Sequence, residues 1–489
     1  MNQTQQTPSF SVVLLGHELK YEVECILKLF IPATKFQFYY EDRMPLSAPQ
    51  PFAAVQVRQG RTHTWFYAAV RWKDGKLFRG CLRSSRILPE EEKAGCEYLC
   101  SQLLFRLLQQ ATGLTPPWGL LTGIRPVRKI MPLLQAGMRP AEIVPKLADR
   151  YWIRRDKLTL AMRTAQVQRP LLEATPKNSV SLYVSIPFCP TRCSYCSFVS
   201  HSMDSARKLM PDYVRLLCRE LELWGEIVQE LGLTVDTIYF GGGTPSVLPT
   251  ECIAKLVNAL KQYGFWQQPC EATIEVNPGT ADLAKLQTLR SLGFDRISFG
   301  VQSLQDDELQ AIGRIHNAQQ ALEALALARK AGFARISADL IYGLPSQTLT
   351  SLQDTLERLT DTGIEHISVY GLIVEEGTPL ASLVDKGRIT LPDEDTAADM
   401  YELVQSFLRE RGFERYEISN YAKNGQYSRH NTVYWEYHPY IAFGAAACGF
   451  DGQRRRTGLS TVKEYIGQLQ SFGGDDLRTS ALYNVEELS

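Results

Sequence analysis

Between about Ser181 and Leu380, apolar positions repeat one rhythm: short β-branched or aromatic runs alternate with longer stretches of helical period. The runs SLYVSIP (181–187), DTIYFGG (236–242), ATIEVNP (272–278), RISFGVQ (296–302), ISADLIYG (336–343) and HISVYGL (366–372) predict six strands. Between them, stretches such as PDYVRLLCRELELWGEIVQEL and AQQALEALALARKAG space apolar residues three and four apart, which predicts helices. Three of the helical stretches run into Gly264, Gly293 and Gly332 before the next strand. Glycine suits a helix end because it takes the left-handed conformation without a Cβ clash.

Six strand-then-helix units imply an α/β fold of parallel strands with right-handed crossovers, either an open sheet or a partial barrel. In both, chemistry gathers at the C-terminal ends of the strands. CPTRC follows the first strand and GGGTPS the second; Glu275 and Asn277 stand at the third. Gln302 ends the fourth strand, and Asp339 with GLPSQ marks the fifth.

Residues 1–170 read differently. FSVVLLG, KFQFYY, FAAVQVR and HTWFYAAVRW predict strands, and EEEKAGCEYLCSQLLFRLLQQATG predicts an amphipathic helix, so this part reads as a separate N-terminal α+β domain without assigned chemistry. Its segment WGLLTGIRPVRK (118–129) reads as a turn packed against the barrel. Residues 171–380 form the α/β part. Residues 381–489 form a C-terminal α+β region, expected to cover a substrate, with a helix over DTAADMYELVQSFLRERG, a strand over ERYEIS and an aromatic-rich stretch.

Lys plus Arg equals Asp plus Glu at 53 each, which argues against a partner held by phosphate neutralisation such as nucleic acid. The N-terminus lacks the pattern of a secretory signal, and no apolar run reaches the roughly 18 residues that span a bilayer, so a cytoplasmic location is expected. Eleven scattered cysteines do not make a disulfide framework. Cys96 and Cys100 fall in a helical pattern and read as core positions.

Cys189, Cys193 and Cys196 are different, because three thiols within eight residues follow directly on a strand. A four-iron cluster held by three thiolates keeps one iron open to a ligand. An electron passed into a sulfonium compound there can break a carbon–sulfur bond and release a carbon radical. A Cys₃His zinc site with His201, or a redox pair Cys193–Cys196, are the competing readings of the same residues.

CxxxCxYC after an apolar strand resembles the signature of the radical S-adenosylmethionine (SAM) superfamily. The order GGGTPS, IEVNPG, ISFGVQS, DLIYGLP extends the resemblance to the oxygen-independent coproporphyrinogen III dehydrogenase family and its haem-chaperone relatives. The likeness covers about Ser181 to Asp451, and the extension carrying WGLLTGIRPVRK resembles the HemZ-type branch. It implies a partial (β/α)6 radical SAM barrel, a [4Fe–4S] cluster on Cys189, Cys193 and Cys196, and S-adenosyl-L-methionine as cofactor. By the same resemblance Tyr183, Tyr195, Gly242, Gly243, Thr244, Glu275, Gln302, Arg314 and Asp339 would contact SAM. The implied reaction is oxidative decarboxylation of two propionates of coproporphyrinogen III to vinyl groups, with a flavodoxin or ferredoxin as electron donor. The alternative is a haem-binding chaperone of the same family using His430 as iron ligand, and Arg454–Arg456 could face substrate carboxylates. HemN-type dehydrogenases carry a fourth cysteine two places after the triplet, where this chain has Phe198.

Overall fold

Five strands and several helices build the first part of the chain in the computed structural model, which describes residues 9–32, 35–41, 51–85, 92–123, 125–176, 178–198, 200–471 and 483–487. The strands β1 (Ser9–Leu15), β2 (Lys35–Glu41), β3 (Phe52–Gln59), β4 (His63–Arg71) and β5 (Leu77–Ser85) lie in the order β2-β1-β3-β4-β5. β1 runs parallel to both neighbours, and β3, β4 and β5 are antiparallel. Phe66, Ala68 and Val70 of β4 bury against Leu103, Leu104 and Leu107 of the helix Glu92–Thr112. Gly80 lets that helix come close, since a Cβ there would lie 2.9 Å from Leu103.

Sequence periodicity did not reveal β5, whose inward side is only half buried and interrupted by Gly80, so its apolar alternation is weak. Nor did it reveal the helices Lys20–Lys28, Pro140–Tyr151 and Arg155–Glu173; internal Pro145 and Pro170 break the pattern of the last two. In the 118–129 segment, Gly119 takes φ +56° against the backbone of Tyr151 and Trp152, where a Cβ would meet Tyr151 O at 2.1 Å. Ile124 lies outside the described residues.

The chain divides into two compact units, Met1–Gln166 and Val167–Ser489. In the second, all six expected strands form, as β6 (Ser179–Ile186), then, beyond the two-residue β7 (Phe188–Cys189) and β8 (His201–Ser202), as β9 (Thr234–Gly242), β10 (Glu271–Val276), β11 (Arg296–Gln302), β12 (Arg335–Tyr342) and β13 (His366–Gly371). They pair in parallel in sequence order, β6-β9-β10-β11-β12-β13, with helices between them. Gly264, Gly293 and Gly332 take positive φ after helices, as their chemistry requires.

The C-terminal residues extend this same sheet at both edges. β14 (Glu414–Arg415) and β15 (Asn420–Ala422) add antiparallel to β13; β16 (Tyr440–Phe443) adds parallel to β6, followed by β17 (Cys448–Phe450), β18 (Arg454–Gly458) and β19 (Tyr483–Glu487). The run ERYEIS expected as one strand breaks after Arg415, and Glu417 turns its side chain inward to accept from the Ser419 N–H at 2.8 Å. Among the described residues the sheet ends on β14 and β19 without closing, so the barrel is partial. No helix among them is long and apolar enough to cross a membrane.

One face of the parallel strands packs on the helices through Leu182, Ile238, Ile274, Ile297, Ala338 and Ile367. Alternation turns the intervening residues into the barrel interior, and these are polar: Glu271, Thr273 and Glu275 on β10, Arg296 and Ser298 on β11, Ser337 and Asp339 on β12, His366 and Ser368 on β13.

Candidate functional site

A cavity of about 530 Å³ opens where the strands end, and residues 191–198 form part of its wall. Cys189 closes β7 and is nearly buried; Cys193 and Cys196 follow in the loop, half buried. The loop is tied down by main-chain bonds, from the Ser194 N–H to Ile312 O at 3.1 Å and from the Cys196 N–H to Cys193 O at 3.3 Å. All three thiols line the cavity.

The glycine turn behind Cys189 admits no side chain. Gly242 has φ +106°, and a Cβ on Gly243 would stand 2.7 Å from Phe188 O and 3.0 Å from Cys189 Sγ. Thr244 Oγ1 donates to Cys189 Sγ at 3.6 Å, and Arg314 Nη1 donates to Cys193 Sγ at 3.4 Å. Burial pushes the Cys189 and Cys196 thiols up, so they need cationic or metal partners to ionise.

Among the described residues, no group of three or more His, Cys, Asp and Glu side chains is arranged to hold a single metal ion. A cubane differs in asking for one thiolate at each of three separate irons. A donor set of three thiols around one cavity, with hydrogen bonds aimed at two of the sulfurs, fits that demand. His201 pairs in β8 with Phe188, and its Nε2 is buried without a partner.

Glu275 at the end of β10 accepts from Tyr239 Oη at 2.7 Å and is pushed up to about 7, first by burial and then by Asp339. Asp339 on β12 accepts from Ser298 Oγ at 3.2 Å and is pushed up to about 6, again chiefly by burial. Two half-buried carboxyls therefore line one cavity, with Arg314 pulling the Asp339 carboxyl partly back down. Gln302 ends β11 at a bulge with φ +70°, a conformation that non-glycine residues adopt at a cost. Arg314 donates through Nη2 to Gly300 O, which leaves its Nε buried and without a partner.

The structure thus brings eleven of the twelve residues expected at the site to one cavity: Cys189, Cys193, Tyr195, Cys196, Gly242, Gly243, Thr244, Glu275, Gln302, Arg314 and Asp339. Tyr195 is half buried and packs against the cluster of Ile312, Ile341 and Leu344. Tyr183 does not line the cavity; its ring lies against Tyr239, 6.0 Å between centroids and 17° between planes, and Tyr239 takes the lining position. Sequence reasoning missed Tyr239, Ser298, Ser368 and Tyr370. Their signal was a polar residue at every second strand position, which is the mark of an inward face.

His430 is not available as an iron ligand. It is fully buried, with Nδ1 2.7 Å from Thr237 Oγ1 and Nε2 2.8 Å from Tyr434 Oη, and it stacks on Tyr239 at 4.9 Å. Burial pushes it down to about 3, so it is a neutral core histidine. Arg454, Arg455 and Arg456 sit on β18 and do not line the cavity; Arg456 pairs with Asp451 at 3.6 Å.

A family model described as the radical SAM superfamily matches residues 183–359. The heme chaperone HemW of Bacillus subtilis is 38% identical over 294 residues, covering 60% of this chain and 76% of the relative. A mitochondrial radical S-adenosyl methionine domain-containing protein 1 of Bos taurus is 33% identical, covering 71% of this chain and 79% of its own length. Among solved structures, coproporphyrinogen III oxidase (HemN) from Escherichia coli superposes with a TM-score of 0.55 at 25% identity, over 66% of this chain and 75% of that one.

Proposed function

From the premise that this chain belongs to the radical SAM superfamily, in the group that includes HemW and HemN, we propose that it is an oxygen-independent coproporphyrinogen III dehydrogenase. Members of the superfamily use a [4Fe–4S] cluster and SAM. Held on Cys189, Cys193 and Cys196 and reduced, that pair would supply the radical chemistry needed to take hydrogen from a substrate propionate. One observation carries the proposal: three thiols, a glycine turn and two half-buried carboxyls converge on one cavity at the strand ends.

Cys189, Cys193 and Cys196 would hold the cluster, with Thr244 and Arg314 hydrogen-bonding its sulfur ligands. Gly242 and Gly243 keep the wall beside Cys189 at backbone thickness, so that main-chain groups can approach SAM. Glu275 and Asp339 would accept from its hydroxyl or ammonium groups, and the unpartnered Nε of Arg314 is free for its carboxylate. A reduced flavodoxin or ferredoxin would be the electron source.

The name carried by relatives such as the Bacillus subtilis protein, together with Phe198 in place of a fourth cysteine, favours a second reading as a haem chaperone. In that reading the haem ligand is a residue other than His430, which the core occupies on both ring nitrogens.

The test is anaerobic incubation of cluster-reconstituted protein with SAM, a strong reductant and coproporphyrinogen III, followed by mass spectrometry. Loss of two carbon dioxide units with deoxyadenosine, abolished in Cys193→Ala, is the expected result. Tight haem binding without any decarboxylation would replace the dehydrogenase by the chaperone.

A further inference from the structure

The N-terminal sheet presents a second face that has no part in the cavity. Thr64, Phe66, Ala68 and Val70 of β4 are buried, three of them against the helix Glu92–Thr112, so Trp65, Tyr67, Ala69 and Arg71 point the opposite way. Register sets Arg58 of β3 and Arg83 of β5 directly on either side of Trp65, and Arg79 beside Ala69. The rings of Trp65 and Tyr67 lie 12° from parallel with centroids 6.4 Å apart. The Arg83 guanidinium stands 5.6 Å from the Trp65 ring centre, and that of Arg71 stands 6.0 Å from Phe52.

The β4–β5 side of this face is positive, whereas Val13, Leu15, Phe52 and Ala54 on its β1–β3 side are buried. No Asp or Glu occurs in β3, β4 or β5. Arg58, Arg79, Arg83 and Tyr67 are exposed, and among the described residues no ion pair engages Arg58, Arg71, Arg79 or Arg83. The Nε of Arg71 is buried without a hydrogen-bond partner. Four like charges gathered around two stacked rings repel one another until an anion arrives. Two strand spacings by the Arg79–Arg83 separation make a patch of about 10 Å by about 14 Å. That is the scale of a flat macrocycle with carboxylate arms.

We propose that this face docks a tetrapyrrole polycarboxylate, its propionates forking to the arginines and its macrocycle packing against the stacked pair Trp65 and Tyr67. Guanidinium matches carboxylate with two parallel hydrogen bonds, and aromatic side chains add a large apolar contact area. The proposal rests on the tetrapyrrole reading above and adds a binding place separate from the cavity. Single-stranded nucleic acid also uses stacking and positive charge, but the balanced charge of the chain speaks for a small anion.

Fluorescence titration of the full chain with coproporphyrin III tests it, beside the tetramethyl ester of the same porphyrin and a single-stranded RNA oligonucleotide. We expect saturable binding to wild type, no binding of the ester, and a Kd at least tenfold higher in Trp65→Ala and in Arg58→Glu/Arg83→Glu, with thermal melts confirming that both variants fold. Failure of wild type to bind, binding indifferent to these variants, or displacement of the porphyrin by the RNA would overturn the proposal. Decarboxylation assayed in parallel separates the two readings. Porphyrin binding lost in the variants, without turnover by wild type, removes the dehydrogenase and keeps the platform; turnover with unaltered binding does the reverse.

Discussion

Two single residues at the cavity carry opposite kinds of constraint, one electrostatic and one steric. Glu275, pushed up to about 7 by burial, stays protonated in the fold where an unfolded chain ionises near pH 4.3. Its contribution to stability is complete below the unfolded value and is lost as pH rises through about 7. Glu275→Gln has no charge to bury, so melts of the SAM-free protein should show the variant gaining on wild type by about 3 kcal/mol between pH 4.5 and pH 8. Parallel pH profiles would mean that Glu275 is ionised in the fold. Gly243 has no room to give: a Cβ there meets two backbone carbonyls, Phe188 O at 2.7 Å and Ile186 O at 2.9 Å, besides Cys189 Sγ. Backbone cannot step aside as a flexible side chain can, so Gly243→Ala should displace Cys189 and lower iron and sulfide per chain several-fold after reconstitution. Gly332→Ala is the control. It is strained by its φ of +90° but meets open space, so it should cost about 1–2 kcal/mol of stability and leave iron content alone.

At the scale of elements, the first residues of β10 and β11 are joined to the helix Arg429–Glu436 by one buried ion pair. Arg296 Nε donates to Glu271 Oε2 at 2.9 Å, and the other guanidinium nitrogens donate to Ser337 Oγ and to the carbonyls of Gln426 and Tyr427. Glu271 in turn accepts the first free N–H groups of the helix, from Arg429 at 3.2 Å and His430 at 3.0 Å, where the helix dipole favours negative charge. Burial alone would raise the Glu271 carboxyl, yet Arg296 and these two donors hold it below its usual range. Glu271→Ala therefore leaves a guanidinium uncompensated in the core and takes the acceptor from the Arg429 and His430 N–H groups, and it should destabilise by about 3–5 kcal/mol in urea unfolding. Glu271→Gln keeps part of the acceptor geometry and should lose less. Equal stability of Glu271→Ala and wild type would mean that water reaches Arg296 and replaces the carboxylate.

At the scale of the whole molecule, what could be read in advance follows the range of the interactions. Each of β6 and β9–β13 is an apolar run bounded by turn chemistry, so local pattern sufficed to place them, and their C-terminal ends then collected the cysteines, glycines and carboxyls of the cavity. β16 could not be read this way. Its pairing with β6 joins Tyr440 to Ser181, and it is secured by Ser185 Oγ donating to Ala445 O at 3.1 Å and by Glu220 accepting from the Gly444 N–H at 2.9 Å. None of these partners announces itself in the strand's own four residues. The same long-range logic decided His430 against a haem role. Its neighbours Thr237 and Tyr239 come from a strand 191 or more residues earlier, and only the fold reveals that they take up its ring. Where the inward-facing positions are polar, as at Thr273, Ser298 and Asp339, they offer no apolar period to detect, although these are the positions a ligand in the barrel must meet. The helix-packing face specifies the barrel and the inward face specifies its chemistry; hydrophobic periodicity reports only the first, so the polar half-period of the strands is the place to look for the substrate's contacts.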